Sequence, residues 1–143
     1  MSNALQIISP TELEEDRPGQ ILLGPIAAGW PSPADNYAED TLDLHRLMVK
    51  NPPATFFMRV TGDSMINAGI HNGDLLVVDR SKHPSSGKIV VAIVDGEATI
   101  KRLVKRQGRF FLCPANSNFP EIDVSGHEET IIWGTATYVI HQL

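Results

Sequence analysis

Asp95-Gly96 stands between two apolar segments, residues 88–94 and 97–104. A two-residue turn of this type fixes a β-hairpin and its register at once. Counting outward from the turn, Val94 opposes Glu97, Ala92 opposes Thr99 and Val90 opposes Lys101. By the period-two rule Lys101 then shares a sheet face with Val90, Ala92, Thr99 and Leu103. The 88–94 segment is apolar on both faces, the pattern of a strand covered on both sides. Burial of an amine disfavours its charged form, so a lysine at this place moves toward a neutral amine near physiological pH.

The same punctuation runs through the rest of the chain. Residues 55–60, 74–79, 88–94, 97–104 and 109–113 are short segments rich in β-branched and aromatic residues. They are separated by Asn72-Gly73, Ser86-Gly87, Asp95-Gly96 and Gln107-Gly108, and residues 130–141 add a last strand. The expectation is a mainly β fold, a curved antiparallel domain of barrel or sandwich type. One short helix is expected over 43–49, where Leu44, Leu47 and Met48 fall at i, i+3, i+4 and Asp43 or Thr41 can cap. Asn51-Pro52-Pro53 ends it.

Residues 1–28 differ in character. They hold Pro10, Pro18, Gly19, Gly24 and Pro25, carry a net charge of −3 and show no sustained periodicity, so they read as a flexible N-terminal arm without assigned structure. Residues 29–143 read as the folded β domain. Trp30-Pro31-Ser32-Pro33 is stiff and extended, because each residue before a proline is pushed out of the helical region.

The net charge of −5 argues against direct grip on nucleic acid, which needs a basic footprint. The longest apolar run, 89–94, is far short of the ~18 residues of a membrane span, and the single cysteine, Cys113, closes no internal disulfide. A cytoplasmic protein without a membrane contact is expected. Cys113 reads as a small hydrophobe rather than a reactive thiol. No cofactor or metal is expected: His45, His71, His83, His127 and His141 show no ligand spacing, and Asp35, Glu39, Asp40 and Asp43 read as a solvated, capping face.

Two patches carry chemistry. Gly62-Asp63-Ser64-Met65 follows the strand at 55–60, and a serine at such a turn is either a nucleophile or the cap of the short turn at 65–68. A serine hydroxyl alone is a weak nucleophile and needs a base. Lys101 supplies one if it is desolvated; otherwise it belongs, with Arg102, Lys105 and Arg106, to a snorkelling basic strand end. Pattern alone leaves both pairs of readings open.

The run Gly62-Asp63-Ser64-Met65, with Gly73-Asp74-Leu75-Leu76-Val77-Val78-Asp79, Gly87-Lys88-Ile89-Val90-Val91-Ala92 and Asp95-Gly96-Glu97-Ala98-Thr99-Ile100-Lys101-Arg102-Leu103, resembles the self-cleaving serine peptidase family of LexA-type repressors and UmuD. Residues 28–37, the segment 43–47 and Pro114-Ala115-Asn116-Ser117 are similar to the UmuD branch in particular, and the resemblance covers about residues 20–143. It implies that Ser64 is the nucleophile, Lys101 the general base and Ala28-Gly29 the bond the chain cuts in itself. It further implies a homodimer and stimulation by the RecA filament on single-stranded DNA. The 29–143 product would then be the accessory subunit of an error-prone, UmuC-type translesion polymerase of the SOS response. Trp30 replaces the family's more usual phenylalanine and keeps the aromatic character.

Rival readings are a LexA-type repressor fragment lacking its DNA-binding domain and a non-catalytic polymerase-binding subunit with an idle dyad. The 28 acidic, proline-broken residues before the bond do not fit a helix-turn-helix. A signal peptidase shares Ser-Lys chemistry but requires a membrane anchor.

Overall fold

The computed structural model describes residues 5–8, 19–22, 38–126 and 129–143, with side chains from residue 41 onward apart from residue 126. Ala28 and Gly29, and with them the expected cleavage bond, lie outside the described residues. The chain divides into two compact units, one of residues 1–13 and 51–143 and one of residues 14–50.

The larger unit is an eight-stranded sheet. Its strands are β1 (Leu5–Ile8), β4 (Thr55–Val60), β5 (Leu75–Asp79), β6 (Ile89–Val94), β7 (Glu97–Arg106), β8 (Arg109–Cys113), β9 (Ile122–Asp123) and β10 (Thr130–Ile140). They lie in the order β1-β4-β5-β10-β6-β7-β8-β9, and every pairing is antiparallel. The smaller unit contains a two-stranded ribbon of β2 (Gly19–Leu22) and β3 (Ala38–Leu42), followed by helix α1 (Leu44–Met48). Asp43 caps α1 by accepting a hydrogen bond from the Arg46 amide, so this acidic residue has a structural task.

The hairpin register is the one counted from the turn: Val94 opposes Glu97, Ala92 opposes Thr99 and Val90 opposes Lys101. Asp95 and Gly96 have φ of 50° and 81°, the left-handed pair that lets a two-residue turn follow the strand twist. Gln107 and Gly108 repeat it between β7 and β8.

Alternation along β6 and β7 divides the core in two. One cluster gathers Met58, Val60, Met65, Ile70, Leu76, Val78, Val91 and Ile100. The other gathers Val90, Ala92, Leu103 and Leu112. The second cluster occupies the face that carries Thr99 and Lys101.

The two strands β1 and β2 fall within residues 1–28, which the sequence presents as a flexible arm without assigned structure. Each is only four residues long and exists through its ladder: β1 pairs with the distant β4, and β2 pairs with β3, the next strand in the chain. Strand β3 carries no periodicity of its own for the same reason. The two-residue β9 carries no periodicity of its own and exists through pairing with β8.

Candidate active site

Ser64 sits where β4 turns back toward β5, and the turn is built around three fixed points. Gly62 has φ of 91°, a conformation glycine adopts without strain, and its amide donates to the Asn72 side chain at 2.9 Å. Met65, fully buried, pins the following residue into the larger core cluster. The segment after β8 closes the turn from outside: the Ala115 amide donates to the Ser64 carbonyl, the Asn67 amide to the Ala115 carbonyl, and Asn116 Nδ2 to the Asp63 carbonyl at 2.9 Å.

Ser64 does not cap the short 3-10 turn Ile66–Ala68. The cap position belongs to Met65 and has no side-chain hydrogen bond, so the capping alternative for Ser64 does not hold.

Lys101 is separated from its basic neighbours. Its side chain turns onto the apolar face and the residue is 3% exposed, whereas Lys105 and Arg106 are exposed. The snorkelling alternative therefore fails for Lys101 and holds for those two, which stack as cations over Phe110 and Phe111.

The fold brings Ser64 and Lys101, 37 residues apart, to 3.1 Å between Oγ and Nζ. Nζ also lies 2.6 Å from Thr99 Oγ1 and 3.0 Å from the Ile100 carbonyl. Burial lowers the amine from its ordinary 10.5 to about 8. A neutral amine has two N–H donors and one lone pair. The ammonium form donates to all three oxygens; once the amine is neutral, Thr99 Oγ1 and the Ile100 carbonyl take its two N–H donors and the lone pair is free to accept from the Ser64 O–H. In the sequence Thr99 shows only as a face neighbour of Lys101; its place two residues before Lys101 on one strand is the signal for a positioning role.

Thr99 and Lys101 form part of the wall of a cavity of about 280 Å³, completed by Val94, Asp95, Glu97, Phe119, Pro120 and Ile122. Its apolar side suits an uncharged residue beside the amine.

A matching family model decides the kinship: Peptidase S24-like, over residues 20–137. The chain belongs to that family. This is the LexA- and UmuD-type family that the motifs resemble. Among its relatives, Protein ImpA of Salmonella typhimurium is 50% identical over 115 residues, 80% of this chain and 78% of the relative. Protein SamA of Salmonella typhimurium is 40% identical over 138 residues, 96% of each chain. The LexA repressor of Frankia casuarinae is 46% identical over 111 residues, 78% of this chain and 42% of the repressor. Membership makes this a peptidase-family chain, with Ser64 and Lys101 inside the matched span.

Cys113 is half-buried; burial, with the charge of Glu121, pushes its thiol up despite Arg106 nearby, which disfavours the reactive thiolate. Among the described residues no helix is long and apolar enough to cross a membrane.

Proposed function

We propose that this chain cuts its own Ala28-Gly29 bond, with Ser64 as nucleophile and Lys101 as general base. The reading is carried by one observation: a lysine amine, lowered to about 8 by burial, lies 3.1 Å from a buried serine hydroxyl.

Lys101 Nζ takes the Ser64 proton while Oγ attacks the Ala28 carbonyl carbon. The tetrahedral intermediate collapses, the Ala28–Gly29 C–N bond breaks, and the Gly29 amine leaves with the proton held by Lys101. Water then attacks the Ala28 ester, gives its proton to Lys101 and releases the Ala28 carboxyl, and that proton returns to Ser64 Oγ. Backbone amides of the Ser64 turn supply the oxyanion donors. Ala28 and Gly29 leave room around the carbonyl under attack.

A chain that carries its own substrate needs the cleavable pose to be a minor population that a partner stabilises. The LexA/UmuD resemblance supports the RecA filament on single-stranded DNA as that partner. It also supports a homodimer, and a 29–143 product that joins a UmuC-type polymerase in translesion synthesis.

Intact mass tests this reading. Incubation at a series of values from about pH 7 to about pH 10 without RecA yields a 1–28 peptide and a 29–143 body, at a rate that climbs through about pH 8 and levels off. Addition of RecA on single-stranded DNA yields the same two masses at neutral pH. A cut at another bond refutes the site, and a rate indifferent to pH refutes lysine as the base.

A further inference from the structure

Two of the histidines that show no ligand spacing in the sequence, His71 and His141, are brought together by the sheet. Ile140, the last residue of β10, pairs with Leu75, the first residue of β5, so His141 continues beside Asp74. Asp74 is itself fixed through its backbone, its carbonyl accepting from the Val60 amide at 2.8 Å and its amide donating to the His71 carbonyl at 3.1 Å. Three potential ligands, His71, Asp74 and His141, therefore stand on a frame set by main-chain hydrogen bonds. Their ligating atoms all lie within 4.8 Å of one another.

We propose that His71, Asp74 and His141 bind a divalent transition metal of the zinc type, which ties the end of β10 to the turn preceding β5. The proposal is independent of the peptidase reading. The Asp74 side chain is 2% exposed and lies beneath two imidazoles that are each less than half exposed, so a carboxylate floor meets two nitrogen donors near the surface. The imidazole rings stand 4.6 Å apart, tilted by 36°. His141 Nδ1 approaches one carboxylate oxygen at 2.6 Å and His71 Nδ1 the other at 3.6 Å.

Hydrogen bonds within the cluster satisfy both carboxylate oxygens, Oδ1 with His141 Nδ1 and Oδ2 with the His71 backbone amide at 2.7 Å. They leave His71 Nδ1 enclosed, 3.6 Å from Oδ2 and without a hydrogen bond. A buried nitrogen in that state is costly. A cation between the three groups uses its lone pair. Two imidazole nitrogens and one carboxylate oxygen are the donors zinc takes, with distances of about 2.0–2.2 Å, and a water completes four-coordination from the open side. Tetrahedral ligands at such distances lie roughly 3.3 Å apart. The observed separations bracket that value, so small side-chain rotations close the site. Nitrogen donors disfavour calcium and magnesium.

The test uses untagged, metal-stripped Ser64→Ala chain, which stays whole during the experiment. Calorimetric titration with zinc chloride gives one zinc per chain, and zinc raises the melting temperature. His71→Ala and His141→Ala each weaken zinc binding about tenfold or more, because loss of a ligand exceeds loss of an outer partner. Each side chain is about two-fifths exposed and neither belongs to the apolar core, so both variants are expected to fold, which a cooperative thermal transition without zinc checks. Cobalt added in place of zinc gives the visible absorption of a four-coordinate ion, and each histidine variant loses it. Cys113→Ser changes neither result. Absence of zinc binding, stoichiometric binding that survives both histidine variants, or binding that Cys113→Ser abolishes overturns the proposal.

Discussion

Lys101 is charged in the unfolded chain up to about pH 10.5 but holds its proton in the fold only up to about 8. Between these values the unfolded chain binds more protons, so stability rises with pH across that window. Below about pH 8 both states are protonated and the full penalty of a buried ammonium remains, on the order of 3 kcal/mol before relaxation is allowed for. Lys101→Met keeps the volume and removes the charge. On a Ser64→Ala background, urea denaturation at pH 7 is expected to show Lys101→Met as the more stable chain, by about 1–3 kcal/mol. The gap narrows as pH rises from about 8 toward 10.5. A gap that stays constant with pH would mean the amine is not desolvated. Stability is thus given up at a position where an uncharged residue fits, while the adjacent Thr99 hydroxyl and Ile100 carbonyl hold the amine in one orientation.

Strand β10 lies between β5 and β6 and joins the two halves of the sheet, and it does so with irregular pairing. Its register shifts between Ile132 and Gly134 against β6, and between Ala136 and Tyr138 against β5. Such bulges bend a strand and increase its twist. Gly134 allows this by absence of a side chain: a Cβ there would meet Val78 Cγ1 at 2.6 Å, and Val78 is fully buried and β-branched. Gly134→Ala is expected to lower stability by about 1–3 kcal/mol through overpacking, measured as a fall in denaturation midpoint with an unchanged slope. No loss would show that the β5–β10 spacing yields easily. Neither Gly134 nor the bulges were legible in the sequence, because a glycine within a strand announces only that something approaches. The hairpin was legible to the residue pair, since Asp95-Gly96 sets register locally and Lys101 follows by counting. The meeting of Lys101 with Ser64 came from the family resemblance, because the chain segments that join them are set by sheet order. The clasp of Ala115 and Asn116 on the Ser64 turn, and the approach of His141 to Asp74, depend on the same long-range order and carry no local signal.

At the scale of the whole molecule the question is whose arm meets whose site. The expected bond at Ala28-Gly29 falls in the sequence range 14–50, and Ser64 and Lys101 fall in the range 51–143 of the other compact unit. Under the proposed reading, substrate and enzyme are then separable by mutation. Gly29→Glu places a bulky charge at the scissile bond and leaves Ser64 and Lys101 intact, so self-cleavage of that chain is expected to stop while its hydroxyl and amine keep their geometry. Ser64→Ala does the reverse: it keeps a usable bond and loses the nucleophile. Each chain alone stays whole. When the two are mixed at alkaline pH, with subunit exchange shown by mixing two mass-labelled forms, cleavage in trans releases a 1–28 peptide only from the Ser64→Ala chain. Intact mass distinguishes the partners directly, because their substitutions differ in mass. Product from the Ser64→Ala chain establishes that one protomer presents its arm to the other. If exchange occurs and both masses remain whole, the arm reaches only the site of its own chain, and regulation by a partner then acts within one protomer.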